Sequence, residues 1–263
     1  MNRISILGCG WLGMPLGKKL VELGFSVNGS TTRESKLNHI EDCGMTPFQI
    51  DLKNQTDGFD AFFKTEILII TLPPSNSVDP HAYFDQLELI KKNAQTSKVK
   101  HILFISSSSV YLNSNVEVDE KDASEQAMTR SGISLLEAEK IFESNDNTIL
   151  RFSGLVGDDR HPGRWFAGKK NVKGGNVPVN MIHLDDCIGV IETIITGKYW
   201  GEIFNACSTE HPLKKEYYPI LARELGLEKP QFDENDDSDW KIVSGKYFVE
   251  KSGYQYKRSI FDI

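Results

Sequence analysis

Apolar residues along this chain fall into short runs separated by stretches of helical spacing. Ile4-Ser5-Ile6-Leu7 is the first run, and Leu12, Leu16, Leu20 and Leu23 then recur up to Gly24. The pattern predicts a strand, a glycine turn and an amphipathic helix. Further strands are expected at residues 25–30, 47–50, 67–72, 102–105, 149–152 and 203–205. The run at 67–72 is almost wholly apolar, as in strands covered on both faces of a parallel sheet. Tyr83, Phe84, Leu87 and Ile90 mark one helix face, and Ile133, Leu136 and Phe142 another. Asp185 is placed to cap a helix bearing Ile188, Ile191, Ile194 and Ile195, and residues 213–225 read as a last helix. Strands alternating with helices predict the α/β class, a doubly wound parallel sheet of Rossmann type. The rhythm breaks over residues 153–178, which are rich in Gly, Pro and basic side chains. The expected organisation is a dinucleotide-binding domain over 1–152, completed by about 179–206. Residues 153–178 and 207–263 then form a smaller substrate lobe at the sheet's carboxyl edge, where ligands of open α/β folds bind.

Composition narrows the function classes. The chain has 263 residues, 39% hydrophobic and 25% charged, enough for one large domain or a domain with a smaller companion. A net charge of −7 argues against nucleic-acid binding, since no basic excess exists to displace counterions. The run Asp233-Glu234-Asn235-Asp236-Asp237-Ser238-Asp239 reads as a solvated loop, because it lacks the glycine and terminal glutamate of an EF-hand. Cys9, Cys43, Cys187 and Cys207 are far apart and form no C-x-x-C pair. They read as buried thiols in a reducing compartment, and no metal is expected. No apolar run approaches membrane-spanning length and the N-terminus runs straight into a strand, so a cytoplasmic protein with no membrane partner is expected.

The candidate chemistry begins at Gly8-Cys9-Gly10-Trp11-Leu12-Gly13, between the first strand and the first helix. In a G-x-G-x-x-G turn the first glycine allows a tight bend and the second lets backbone approach a pyrophosphate. The third lets helix and strand pack closely, and the helix amino end offers its amides to the anion. Pro15 is tolerated in the first turn. After the second strand come Ser30, Thr31, Thr32 and Arg33, where an NAD site usually carries an acidic residue for the ribose 2′-hydroxyl. A guanidinium there would bind a 2′-phosphate, so NADP(H) is expected over NAD(H), unless Arg33 is only a surface charge at a helix start. Asp51 is a candidate neighbour of the adenine, and Leu72 and Pro73 end the fourth strand where the chain should line the cofactor cleft.

Ser106-Ser107-Ser108-Ser109-Val110-Tyr111 resembles the end of the fifth strand in extended short-chain dehydrogenase/reductases, the NAD-dependent epimerase/dehydratase superfamily. The resemblance continues through Leu150-Arg151-Phe152-Ser153-Gly154-Leu155-Val156-Gly157, Ile182-His183-Leu184-Asp185-Asp186 and Phe204-Asn205. It is most specific to the bacterial YeeZ-type branch, at Gly10-Trp11-Leu12-Gly13-Met14-Pro15-Leu16, His161-Pro162-Gly163-Arg164 and Phe166-Ala167-Gly168-Lys169. It implies hydride chemistry at a nicotinamide, with Ser107 orienting a substrate oxygen, and a homodimer through the helices after strands four and five. Leu7 stands where the extended family places its first glycine.

The departure from the family is chemical. Its tyrosine and lysine align with Ser131 and Leu135, so the usual proton carrier and its partner are absent. Tyr111 is the candidate substitute, or else a tyrosine packed beside the cleft. Tyr247-Phe248-Val249-Glu250-Lys251 repeats the tyrosine–lysine spacing but follows the last expected strand of the sheet. Ser108, Arg160, His161 and Arg164, with Trp165 and Phe166, form a candidate substrate surface for an anionic or sugar-like molecule, or a charged loop. His183 reads as a structural histidine tied to a carboxylate, and Arg151 as the anchor of a local network. The leading expectation is an NADP(H)-dependent oxidoreductase or epimerase acting on a small polar carbonyl or sugar-like substrate. The alternative is an NADP(H)-binding sensor or scaffold that has lost the chemistry.

Overall fold

The computed structural model describes residues 3–52, 59–72, 80–125 and 130–263, with the side chains of residues 80, 81, 130 and 131 also left outside. The first apolar run forms β1 (Arg3–Leu7), followed by α1 (Gly13–Glu22), β2 (Ser26–Thr31), α2 (Leu37–Asp42) and β3 (Thr46–Gln49). Next come α3 (Phe59–Phe63), β4 (Ile67–Ile70), α4 (Pro80–Thr96), β5 (His101–Ser107) and the short β6 (Val116–Val118). After α5 (Arg130–Phe142) the chain enters β7 (Thr148–Phe152), β8 (Gly154–Val156), β9 (Met181–His183), α6 (Leu184–Gly197) and β10 (Ile203–Ala206). It ends through α7 (Lys214–Glu224), β11 (Lys241–Val243) and α8 (Lys246–Ser252).

Seven strands make one parallel sheet in the order β3-β2-β1-β4-β5-β7-β10. The order reverses between β1 and β4, which makes their carboxyl ends the topological switch point where doubly wound folds bind ligands. All four residues of β4 are buried, in keeping with helices on both faces. A polar residue inside β1 is accommodated because it is satisfied: Ser5 donates to the Phe62 carbonyl (2.7 Å) and accepts from Asn28 Nδ2 (3.0 Å).

The chain divides into two compact units. The first comprises Met1–Ser107, Thr129–Arg151 and Ile191–Ile203. Its core gathers Phe62, Phe63, Leu68, Ile70, Leu87 and Ile90, with Phe104 and Phe142 stacked at 5.1 Å. The second comprises Ser108–Met128, Phe152–Val190 and Phe204–Ile263, around Val156, Met181, Tyr217, Leu221 and Ile260. Residues 108–128, expected with the first region, group with the second because β6 pairs in parallel with β11. Two further short strands of the second unit, β8 and β9, also pair in parallel. None of these four was expected, since runs of three residues carry no readable period.

Some periodic residues fall elsewhere than expected. Leu23 is 40% exposed: it lies one residue past α1, and Gly24 at φ +87° turns the chain away. On α5 the core face is Leu135, Ala138 and Phe142, leaving Ile133 and Leu136 half-buried. Helix α6 begins at Leu184, so Asp185 sits in its first turn rather than at the cap. The acidic loop is partly engaged, with Asp236 accepting from the Gly174 amide (2.5 Å). Cys9, Cys187 and Cys207 are buried thiols, whereas Cys43 is half-buried; all four are free. Among the described residues no helix is long and apolar enough to cross a membrane, and no cluster of three or more His, Cys, Asp or Glu could hold a metal ion.

One buried charge pair ties the first unit together. Glu139 of α5 faces Arg151 of β7, both side chains under 5% exposed, with Nη2–Oε2 at 2.7 Å and Nε–Oε1 at 3.0 Å. Ser106, near the end of β5, donates to the same carboxylate at 2.5 Å. The network expected at Arg151 is therefore present. Removing one partner leaves the other charge buried and alone, so Glu139→Ala should lower the unfolding free energy by about 3–5 kcal/mol. Glu117→Ala, which breaks the exposed pair with Lys246, should leave the urea midpoint nearly unchanged.

Candidate functional site

The switch point is built by backbone. Gly8 follows β1 at φ +109°, a conformation that suits glycine, and a Cβ there would stand 2.7 Å from Thr71 Oγ1. Thr71, just beyond β4, donates to the carbonyls of Gly8 (2.7 Å) and Leu7 (3.1 Å). From the other side the Gly8 amide donates to Ser30 Oγ (3.0 Å), and the Cys9 amide to the Ser30 carbonyl (2.7 Å). Gly13 opens α1 directly against this turn, where a Cβ would collide with the Gly8 carbonyl oxygen. Gly10 differs from both: nothing lies within 4 Å of a Cβ built on it, and its φ is not in the left-handed region. Leu12, buried at 7%, gives α1 no side-chain cap, and no acidic residue lies in the first turn. Open room at Gly10 and an uncapped helix end meet the needs of a diphosphate, so the residues present fit a dinucleotide. Cys9 does not add a nucleophile, since burial pushes its thiol up to about 12.

The rest of the cofactor candidates lie at the ends of β2, β3 and β4 in the same unit. Thr31 is buried and accepts the Arg33 amide (3.2 Å), while Thr32 and Arg33 are exposed. The Arg33 guanidinium forms no ion pair among the described residues. Trp11, Asp51 and Leu72 are half-buried, and the Leu72 carbonyl accepts from the Tyr83 hydroxyl (3.3 Å). Pro73 lies outside the described residues.

The catalytic and substrate candidates are more heavily committed to the protein itself. Ser107 ends β5 half-buried, and Ser108 starts a 3-10 turn with 9% exposure. Tyr111 is 3% exposed and donates its hydroxyl to Asn205 Oδ1 (2.7 Å), while Lys241 holds its carbonyl (2.6 Å). That is the packed tyrosine, with its proton already given to an amide. His161 Nδ1 accepts the Gly163 amide (3.1 Å), capping a short 3-10 turn, and burial lowers its pKa. Gly163 lies so close to α7 that a Cβ would meet the Leu221 carbonyl. Phe166 packs edge-on to Tyr218 at 4.6 Å, with Trp165 beside the same ring. The stacking surface expected for a ligand is thus partly engaged by α7, while Arg160, Arg164 and Trp165 (39%) are exposed.

Against this geometry the relatives can be weighed. Protein YeeZ of Escherichia coli strain K12 is 35% identical over 266 residues, spanning 98% of this chain and 96% of that protein. The chain belongs to the YeeZ family. No protein-family profile matches it. Among solved structures, UDP-glucuronic acid 4-epimerase from Bacillus cereus in complex with NAD superposes with a TM-score of 0.79 at 18% identity, covering 99% of this chain and 95% of that one. A short-chain dehydrogenase/reductase superfamily protein from Agrobacterium tumefaciens with bound NAD gives 0.79 at 15%, covering 98% and 93%. At such identities the likeness shows the fold, a Rossmann-like sheet shared with epimerase and dehydrogenase/reductase proteins.

In this YeeZ-family chain Leu135, expected from the sequence to stand in place of a lysine, is buried at 5% on α5. The repeated spacing at Tyr247 and Lys251 does form a pair, Nζ to hydroxyl 3.1 Å, but on α8 of the second unit and exposed to solvent. His183 is buried, accepts the Asp185 amide at Nδ1 (3.1 Å) and has Asp185 Oδ2 at 3.7 Å, as a structural histidine would. Beside it Asp186 accepts from the Tyr254 hydroxyl and the amides of Lys257 and Arg258, which fastens the C-terminal segment. The residues that sequence reasoning missed are Thr71 and Glu139. A threonine ending an apolar strand and a lone acid on an apolar helix face were their only signals.

Two alanine substitutions should separate packing from binding. Gly13→Ala meets backbone that cannot yield and should destabilise by about 1–3 kcal/mol in urea unfolding. Gly10→Ala should change stability by less than about 1 kcal/mol yet weaken dinucleotide binding by titration. Unaltered affinity in that variant would overturn the assignment of the turn.

Proposed function

We propose that this chain binds NADP(H) through the glycine turn and has given up the superfamily's tyrosine–lysine proton relay. The observation that carries the first half is the uncapped amino end of α1 beside the open face of Gly10. In this reading Gly8 to Gly13 hold the pyrophosphate, Thr31, Thr32 and Arg33 the 2′-phosphoribose, and Asp51, Leu72 and Pro73 the neighbouring parts of the cofactor. When bound, the nicotinamide supplies a hydride donor or acceptor. The preference for NADP(H) rests on Arg33, exposed and free of any acidic partner among the described residues, two residues past β2. A guanidinium binds phosphate by charge-assisted, often bidentate, hydrogen bonds.

The second half rests on what the chain's own side chains can do with a proton. Leu135 carries no charge, and the Tyr111 hydroxyl is engaged with Asn205. The role supported best is an NADP(H)-binding sensor or scaffold of the epimerase/dehydratase type. One observation favours the oxidoreductase reading: Ser107 is half-buried at the end of β5, where the superfamily orients a substrate oxygen. In that reading Ser107 and Ser108 position a small polar carbonyl or sugar-like molecule, with Arg160, His161 and Arg164 as its outer contacts. A homodimer through α4 and α5 completes the proposal, using the half-buried Ile133 and Leu136.

Fluorescence titration with NADPH and NADH tests the cofactor. The wild type should prefer NADPH, and Arg33→Ala should weaken NADPH at least about tenfold while moving NADH much less. Equal losses for both would reject the 2′-phosphate role. Incubating the protein and NADPH with a panel of aldehydes and nucleotide sugars should show no turnover. Oxidation that Ser107→Ala abolishes would decide for the enzyme.

A further inference from the structure

The second unit holds a cavity apart from the proposed dinucleotide residues. It measures about 380 Å³ and shares no residue with the glycine turn. That volume lies at the lower end of small-molecule sites. Its wall is mainly apolar, with Ile242 and Val243 of β11, Val249 of α8, and Cys207, just beyond β10.

Two polar groups on that wall have a hydrogen-bonding capacity left over. His211 Nδ1 lies 3.1 Å from the Val179 carbonyl, which can only accept, so Nδ1 bears the proton. Burial holds this imidazole below its ordinary pKa, so the ring is neutral and Nε2 keeps its lone pair. Among the described residues nothing donates to that nitrogen. The Tyr256 hydroxyl oxygen accepts the Cys207 amide (3.2 Å), and its proton finds no acceptor among the described residues. The cavity therefore presents an acceptor at His211 and a donor at Tyr256. Three charges line it: Glu117 and Lys246 are paired with each other at 2.8 Å, and Glu250, an exposed residue of α8, adds a negative charge.

We propose that this cavity is a second ligand site, for a small, uncharged, mainly apolar molecule that carries both a hydrogen-bond acceptor and a donor, as a carboxamide does. The acceptor takes the Tyr256 proton, the donor meets His211 Nε2, and the apolar body lies against Ile242, Val243 and Val249. An anionic ligand is disfavoured because Glu250 leaves the wall net negative beside the paired Glu117 and Lys246, and burying an unpaired ion is costly.

Benzamide is a suitable probe, with toluene and benzoate as controls that lack the polar pair or add a charge. In methyl and amide NMR of the full-length protein, benzamide should shift Ile242, Val243, Val249 and Gly245, with toluene and benzoate binding several-fold more weakly. His211→Phe, checked for folding by its melting curve, should weaken benzamide about threefold to tenfold through loss of one hydrogen bond. Val249→Trp, on the partly exposed face of α8, should fill the cavity and abolish the shifts without touching His211. Toluene binding as tightly as benzamide, shifts scattered outside the cavity, or full binding in Val249→Trp would each overturn the site. Because NADP(H) is absent from every measurement, the result is independent of the dinucleotide reading.

Discussion

The structure depends on one close approach of backbone to backbone. Helix α1 starts on top of the Gly8 carbonyl, with Gly13 leaving no room for a Cβ between them. Thr71 from the neighbouring strand holds that carbonyl, and Ser30 holds the amide of the same residue. Three strands, β1, β2 and β4, are therefore locked to the turn that aims the helix. The same tightness is what keeps the helix end clear of side chains. In the proposed reading an anion site here is a consequence of packing.

Each unit also contains a buried carboxylate, and the two are satisfied by different means. Glu139 is met by a guanidinium and a hydroxyl, so its pair is ionic and fixes α5 to β7 and to the end of β5. Asp186 is met by a phenol and two backbone amides, so it binds a chain segment some seventy positions further on without needing an opposite charge. The first device sets the geometry of α5, the helix that carries Leu135.

Motifs shared with relatives divide in the same way between chemistry and packing. His161-Pro162-Gly163-Arg164 is a string that invites a substrate assignment. Its imidazole caps its own turn, its glycine admits α7, and the following aromatics lean on Tyr218. That string therefore seats α7 whatever else it does. Tyr111 is similar: it lies near the end of β5, yet its hydroxyl joins Asn205, whose own amide donates to Glu120. The cavity at His211 shows the converse, since no string of residues announced it and the convergence of β6, β11, α8 and the segment after β10 gives it walls.

The order of local apolar patterns was enough to specify the parallel sheet, because strand and helix periods differ and the runs are separated by polar, glycine or proline residues. The glycine spacing likewise specified the turn, since φ and the absence of a Cβ are properties of the residue itself. Arg33 was placed by its distance along the chain from that turn. What the sequence could not decide was every relation between distant positions: Thr71 on Gly8, Glu139 on Arg151, β6 on β11, and the donor and acceptor left over at Tyr256 and His211. Those depend on which side chains meet after the strands are ordered, and a hydrogen bond's partner is set by that meeting and not by the residue that offers it.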